Sequence, residues 1–227
     1  MKIKFGALMV DGRGKIGGHV ASKNRGGAYL RTKVTPVNPQ TAAQSNVRGL
    51  FTSISQAWRT LTESARTAWN NAVSNFAKTD VFGDIKNPSG SNLYLKLNQN
   101  LALIGQPSIT TPPEVASSPE FVDFTPTVNG TTPALSIALG TSPVPADTYL
   151  VVEATSPQSA GKSFLKNKFR VIGVIAPAAT SPSNQLTNYT TKFGALVPGQ
   201  KVGIRIKAVN GLTGIAGQYN SQTVIAS

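Results

Sequence analysis

The chain has no cysteine, a single histidine and only nine acidic residues among 227. Without thiols there can be no disulfide, no cysteine-ligated zinc and no thiol nucleophile, and the redox compartment is unreadable. Charged residues make up 14% and aromatics 7%. The charged share is well below the usual quarter or so, so the surface is built from small polar residues. No window approaches the roughly 18 apolar residues of a membrane span, and the first residues lack the apolar run of a signal peptide. No membrane partner is expected.

Basic residues, glycine and proline are abundant. There are 22 Lys and Arg, 21 Gly and 15 Pro, and the formal charge is +13. Residues 1–106 carry 14 bases against Asp11, Glu63, Asp80 and Asp84, whereas residues 107–227 carry eight against five acids. The excess concentrates in the first 33 residues, where eight bases face one acid. Clustered positive charge favours an acidic protein surface or DNA as partner.

The pattern predicts an α+β multidomain chain. Residues 1–36 read as a basic, glycine-rich extended arm with short strand candidates in "KFGALMV" and "GAYLRTKVTP"; a small β-meander packed on the helices is the alternative. Residues 37–106 read as a helical domain. A first helix is expected after an Asn38 cap with Pro39 at its first position. Val47, Phe51, Ile54, Trp58 and Leu61 form its apolar stripe. Thr62 caps a second helix with a stripe through Ala65, Trp69, Ala72, Val73 and Phe76, and the short connection predicts a helical hairpin. "DVFGDIKNPSGS" reads as a loop, and a third helix carries Leu93, Leu97, Leu101 and Ile104 before Gly105 ends it.

Residues 107–120 are rich in proline and read as a linker. From 121 to 227 the period changes to two. "ALSIALG", "TYLVVEATS", "FRVIGVI", "KVGIRIKAV" and "QTVIA" are short strands separated by turn residues, which predicts an immunoglobulin-like β-sandwich of roughly seven strands.

Two resemblances sharpen these expectations. "LVPGQKVGIRIKAVNGLTG" resembles a fibronectin type III or related immunoglobulin-like module through Leu196, Pro198, Gly199, Val202, Ile204, Ile206, Ala208 and Asn210. It departs at Val202, where that family usually has a tyrosine securing the corner. "GKIGGHVASKNRGGAYLRTKVTPVNPQTAAQSNVR", "AWRTLTESARTAWNNAV" and "SGSNLYLKLNQNL" resemble a family of uncharacterised proteins of phages and prophage-bearing bacteria. That resemblance covers about residues 12–104 and implies a component of a phage particle. It carries no catalytic residues across.

Candidate chemistry is sparse. Gly161-Lys162-Ser163 ends like a P-loop, but Ser156 stands where the first glycine belongs and the setting is all-β. His19 lies in a glycine-rich stretch unsuited to a preorganised triad. Asp80 and Asp84 are too few for a metal. Trp58 and Trp69 fit a core better than a base-stacking role, and Arg48, Arg59 and Arg66 lie off the apolar stripes. No cofactor and no catalysis are expected.

The arm's Arg13, Lys15, Lys23, Arg25, Arg31 and Lys33 are the candidate binding residues. The expected function is a non-enzymatic structural protein of a tailed-phage virion, a homo-oligomer among other virion proteins. A head–tail connector ring or tail accessory comes first and capsid decoration next. A free nucleic-acid-binding protein is the alternative, and host-surface adhesion through the sandwich a weaker one.

Overall fold

The computed structural model describes residues 1–4, 12–24, 26–114, 119 and 123–227. Among these the chain is a mixed α+β protein, with four α-helices and four antiparallel sheets. Most of the strand expected in "KFGALMV" falls on residues 5–11, outside the described residues.

The basic N-terminal region is more ordered than an extended arm. β1 (Lys2–Ile3), β2 (Gly14–Ile16), β3 (His19–Asn24) and β4 (Gly27–Thr32) form one sheet in the order β1-β4-β3-β2. Its cause is local. Gly17, at φ 56°, and Gly18 make a two-residue turn that brings Ile16 opposite His19, the tight hairpin connection that glycine favours. Residues 33–41 then run exposed and without regular structure.

α1 (Ala42–Thr60) begins later than the Asn38–Pro39 pattern suggests. Gln40 has φ 51°, and the Thr41 hydroxyl accepts from the Gln44 amide at 3.3 Å, so Thr41 is the cap. The Asn38 side chain is occupied elsewhere, accepting from Arg48 Nη2 at 2.7 Å. Thr62 caps α2 (Glu63–Ala72) as expected, and a turn of 3-10 helix, Val73–Phe76, follows it. The two helices do not close on each other as a hairpin. Each packs chiefly on α3 (Gly90–Leu103). The reason is Tyr94, whose ring lies 5.4 Å from that of Trp58 and 5.3 Å, edge-on, from that of Trp69. Such aromatic pairs add about 0.5–1.5 kcal/mol each beyond their buried area. Gly105, at φ 74°, ends α3 as the sequence implied.

Between α2 and α3, β5 (Lys78–Thr79) and β6 (Ile85–Lys86) pair as a small hairpin where a loop was expected. The stretch read as a linker starts as a strap docked on the helices. The Trp69 indole donates to the Thr110 carbonyl at 2.7 Å. Buried Asn98 donates to the Ile109 carbonyl at 3.2 Å and accepts from its amide at 2.7 Å. Proline richness removed regular structure from this stretch without freeing it.

The C-terminal half holds two facing antiparallel sheets. β7 (Phe124–Asn129), β8 (Ala134–Leu139) and β11 (Ser183–Asn184) form one, in the order β11-β8-β7. β9 (Thr148–Ala154), β10 (Arg170–Ile175), β12 (Lys201–Asn210) and β13 (Asn220–Ile225) form the other, in the order β10-β9-β12-β13. Alternate residues turn inward: Phe124, Val128, Leu135, Ile137, Val152, Ile204 and Ile206 share one core, as period two requires. A helix that the strand pattern did not foretell, α4 (Leu186–Phe193), crosses between β11 and β12. Its buried Tyr189 donates to the Thr155 carbonyl at 3.0 Å, and burial pushes that phenol well above its ordinary pKa.

α3 joins the two halves. Its Leu101 and Ile104 pack on Val151 and Val209, which point out of the four-stranded sheet. Asn100 donates to the Gly214 carbonyl at 2.8 Å, Gln106 donates to the Tyr149 hydroxyl at 2.7 Å, and Ile215 enters the helical core. At Gly214 a Cβ would lie 2.3 Å from the Leu97 carbonyl oxygen, and φ is 70°. Gly214→Ala therefore combines a left-handed strain with overpacking. It should lower the unfolding free energy by about 2–5 kcal/mol, measured by urea denaturation. A change within about 0.5 kcal/mol would show that the two halves are not tightly joined.

Candidate interaction surface

Paired residues of an antiparallel sheet share a face, so the N-terminal register sorts the basic residues. Lys15 lies opposite Val20, and Val20 opposite Arg31; Lys2 lies opposite Tyr29. Alternation therefore gathers Lys2, Lys15 and Arg31 on one face with Val20, Ser22 and Tyr29. Ile3, Ala21, Ala28 and Leu30 share the other, more covered face, and Ala21 is buried. Lys23 belongs to that second face, opposite Ala28. Arg13 immediately precedes β2, and Lys33 follows β4 with its amide donating to the Gly18 carbonyl at 2.8 Å. Arg13, Lys15, Lys23, Arg31 and Lys33 are all exposed, and Arg25 lies outside the described residues. The structure thus brings Lys15 and Arg31, two of the six predicted residues, into one row through Val20, sets Lys2 on the same face in the next row, opposite Tyr29, and turns Lys23 away.

The sheet is tied to the helical region through the turn between β5 and β6. Lys2 Nζ lies 3.4 Å from Asp80 Oδ2, and Lys4 Nζ lies 3.1 Å from Asp84 and 5.2 Å from the centre of the Phe82 ring. The Asp80 side chain is 4% exposed. Burial works to raise its pKa, but amide hydrogen bonds from Phe82 (2.8 Å) and Asp84 (3.1 Å), with the Lys2 ammonium beside it, hold it below the usual carboxylate value. These two acids, in the stretch that the sequence read as a loop, are the anchor of the sheet. No cluster of three or more metal-ligating side chains occurs among the described residues.

A second exposed feature adjoins the sheet in sequence. Val37 is 87% exposed, and on the N-terminal half of α1 Val47 is 66% and Phe51 49% exposed. Only Ile54 of that helix is buried. The apolar stripe is thus real, but among the described residues just its C-terminal half has a partner. Trp58 and Trp69 belong to the helical core. Arg66 pairs with Glu63 at 3.0 Å, while Arg48 and Arg59 are exposed.

No family model, curated protein or solved structure matches this chain. The surface therefore has to be read from its own chemistry.

The other sequence candidates have structural occupations. Lys162 donates from its amide to the Ser159 carbonyl and from Nζ to Gln158 Oε1 at 2.9 Å, and its carbonyl accepts from Lys201. The Gly161-Lys162-Ser163 stretch is a self-bonded loop between antiparallel strands, without the strand-to-helix turn of a phosphate cradle. His19 is exposed, opposite Ile16 and Thr32.

Sequence reading missed one polar cluster on the outer face of the four-stranded sheet. Glu153 is buried; its Oε2 accepts from Arg205 at 2.6 and 2.8 Å and its Oε1 from the Tyr219 hydroxyl at 2.7 Å. The guanidinium lies between the rings of Phe169 and Tyr219, 4.4 and 4.3 Å from their centres. Burial and the adjacent Glu153 push the Tyr219 phenol up to about 12. The period-two spacing of Arg205 and Lys207 in "KVGIRIKAV" was the available signal. It gave the facing of these side chains and not their partners.

The anchor makes a pH prediction. With Asp80 held below 3.8, its ionised form stabilises the fold above that pH, and the contribution fades as pH falls below it toward the lowered native value. Asp80→Asn should speed hydrogen exchange of the Phe82 and Asp84 amides at neutral pH and blunt the acid dependence of that exchange. Unaltered exchange would remove Asp80 as the anchor.

Proposed function

We propose that this chain is a non-enzymatic structural protein of a tailed-phage virion, present in several copies and docked through its N-terminal region. The observation that carries the reading is the surface of residues 13–51. A row of exposed bases, an exposed connection at 33–41 and the uncovered stripe of Val47 and Phe51 follow one another in the chain. Exposed apolar side chains beside concentrated charge suit a surface that another molecule covers. The resemblance of residues 12–104 to phage proteins supplies the particle.

We read the C-terminal half as an immunoglobulin-like module. Two facing antiparallel sheets of three and four strands, seven in all, support this. Leu196 is buried at the corner before β12. The tyrosine that the family usually has at the position of Val202 is absent; the nearby buried Tyr189, in α4, instead donates to the Thr155 carbonyl at the end of β9. Such a module on a rigid helical base would bind neighbours or project outward. A connector ring or tail accessory is the favoured location, capsid decoration the next.

The exposed Lys15 and Arg31, in one row of the sheet, also favour a second reading, a free nucleic-acid-binding protein. It predicts DNA affinity that falls steeply with salt, with a slope near −0.9 per phosphate neutralised. Quantitative mass spectrometry of particles whose genome encodes this chain separates the two. The structural reading expects a fixed copy number relative to the major capsid protein. It also expects Lys15→Ala/Arg31→Ala to reduce incorporation severalfold while the chain still folds. Absence from the particle would reject it and leave the DNA-binding reading.

A further inference from the structure

A cleft of about 330 Å3 opens between the β5–β6 hairpin and the start of α3. Phe76, Pro88 and Leu93 give it an apolar floor, and Lys78, Lys86 and Lys96 stand around it. Among the described residues no Asp or Glu lines it. Asp84 is the nearby acid, 3.7 Å from Lys86 Nζ and closer, at 3.1 Å, to Lys4. Lys78 and Lys96 face each other, and among the described residues neither has such a partner. Burial, then the Lys78 ammonium beside it, hold Lys96 below its ordinary pKa, and Lys207 adds to the effect. The first turn of α3 carries no acid, and its Asn92 and Leu93 border the cleft, so the positive end of that helix adds to the field.

Like charges gathered over an apolar floor disfavour the free protein and are relieved by an anion that brings its own apolar group. We propose that this cleft binds an acidic–apolar peptide segment of a neighbouring protein, an aliphatic side chain on the floor and flanking carboxylates on Lys78, Lys86 and Lys96. Inorganic phosphate or a nucleic-acid backbone would satisfy the lysines and leave the floor wet. Base stacking needs an open aromatic face, and the cleft's one ring, Phe76, is half-buried. The cleft is separate from the basic row of the N-terminal sheet, and its binding does not depend on the particle.

Fluorescence anisotropy of the full chain with a labelled peptide of alternating glutamate and leucine tests this. Saturable binding is expected, at least tenfold weaker for Lys78→Gln/Lys96→Gln and unchanged for Lys168→Gln/Lys192→Gln, two exposed lysines of the C-terminal half. Peptides with glutamine for glutamate, or serine for leucine, should also bind at least tenfold more weakly to the unaltered chain. This comparison keeps the test decisive if the double variant fails to fold. No saturable binding, equal binding of the control peptides, equal binding by the folded variant, or displacement of the peptide by a lower concentration of oligothymidylate would overturn the proposal.

Discussion

α3 is held from both sides, and the rest of the molecule takes its position from that constraint. On one side Tyr94 fills the space between Trp58 and Trp69, so two helices that would otherwise have little reason to associate share one support. On the other side Leu101 and Ile104 cover Val151 and Val209, outward residues of a sheet whose inner face already has its own core. The turn at Gly214 comes so close to the Leu97 carbonyl that no side chain fits. Apolar burial at about 25 cal/mol per Å2 thus acts across the boundary between halves as well as inside each. The Asn98 and Trp69 hydrogen bonds to the strap add directional constraints to it.

This support organises the surfaces. The basic N-terminal sheet reaches the body through lysine–carboxylate contacts at Asp80 and Asp84, and the hairpin that carries those acids also borders the lysine-rimmed cleft. One short hairpin therefore serves both candidate interaction sites. Exposed lysine–carboxylate pairs contribute little stability singly. Asp80 differs because its carboxylate also closes the turn through two backbone amides. The fold spends its strong packing on the α3 junction and leaves residues 13–51 largely uncovered, which is the arrangement expected of a docking element on a firm base.

Much of the architecture was legible in the sequence, for reasons that also explain the gaps. Helical stripes and period-two strands are local patterns, so α1 to α3 and five of the C-terminal strands were readable, as were the Thr62 cap and the Gly105 stop. A stripe reports that a face is covered and is silent on what covers it. The predicted hairpin gave way to a shared α3 for that reason, and among the described residues half of the α1 stripe has no cover. The glycines of residues 1–36 went with an extended arm, whereas between strands the Gly17-Gly18 pair is a turn signal that makes a sheet. α4 is eight residues long and mostly polar, too short for its period to stand out. At the candidate site, the basic character of residues 13–33 was plain, but facing required the register. The Lys78–Lys96 pairing joins residues far apart in the chain and left no mark in either segment.

In the proposed virion role, residues 13–51 are covered once the particle is assembled. Hydrogen–deuterium exchange, compared between the free chain and the chain within purified particles, tests this covering most directly. Exchange at residues 14–32 and 42–51 should be strongly slowed in the particle, with β9 and β12, already protected in the core, unchanged. Equally fast exchange of residues 14–32 in both states would contradict it.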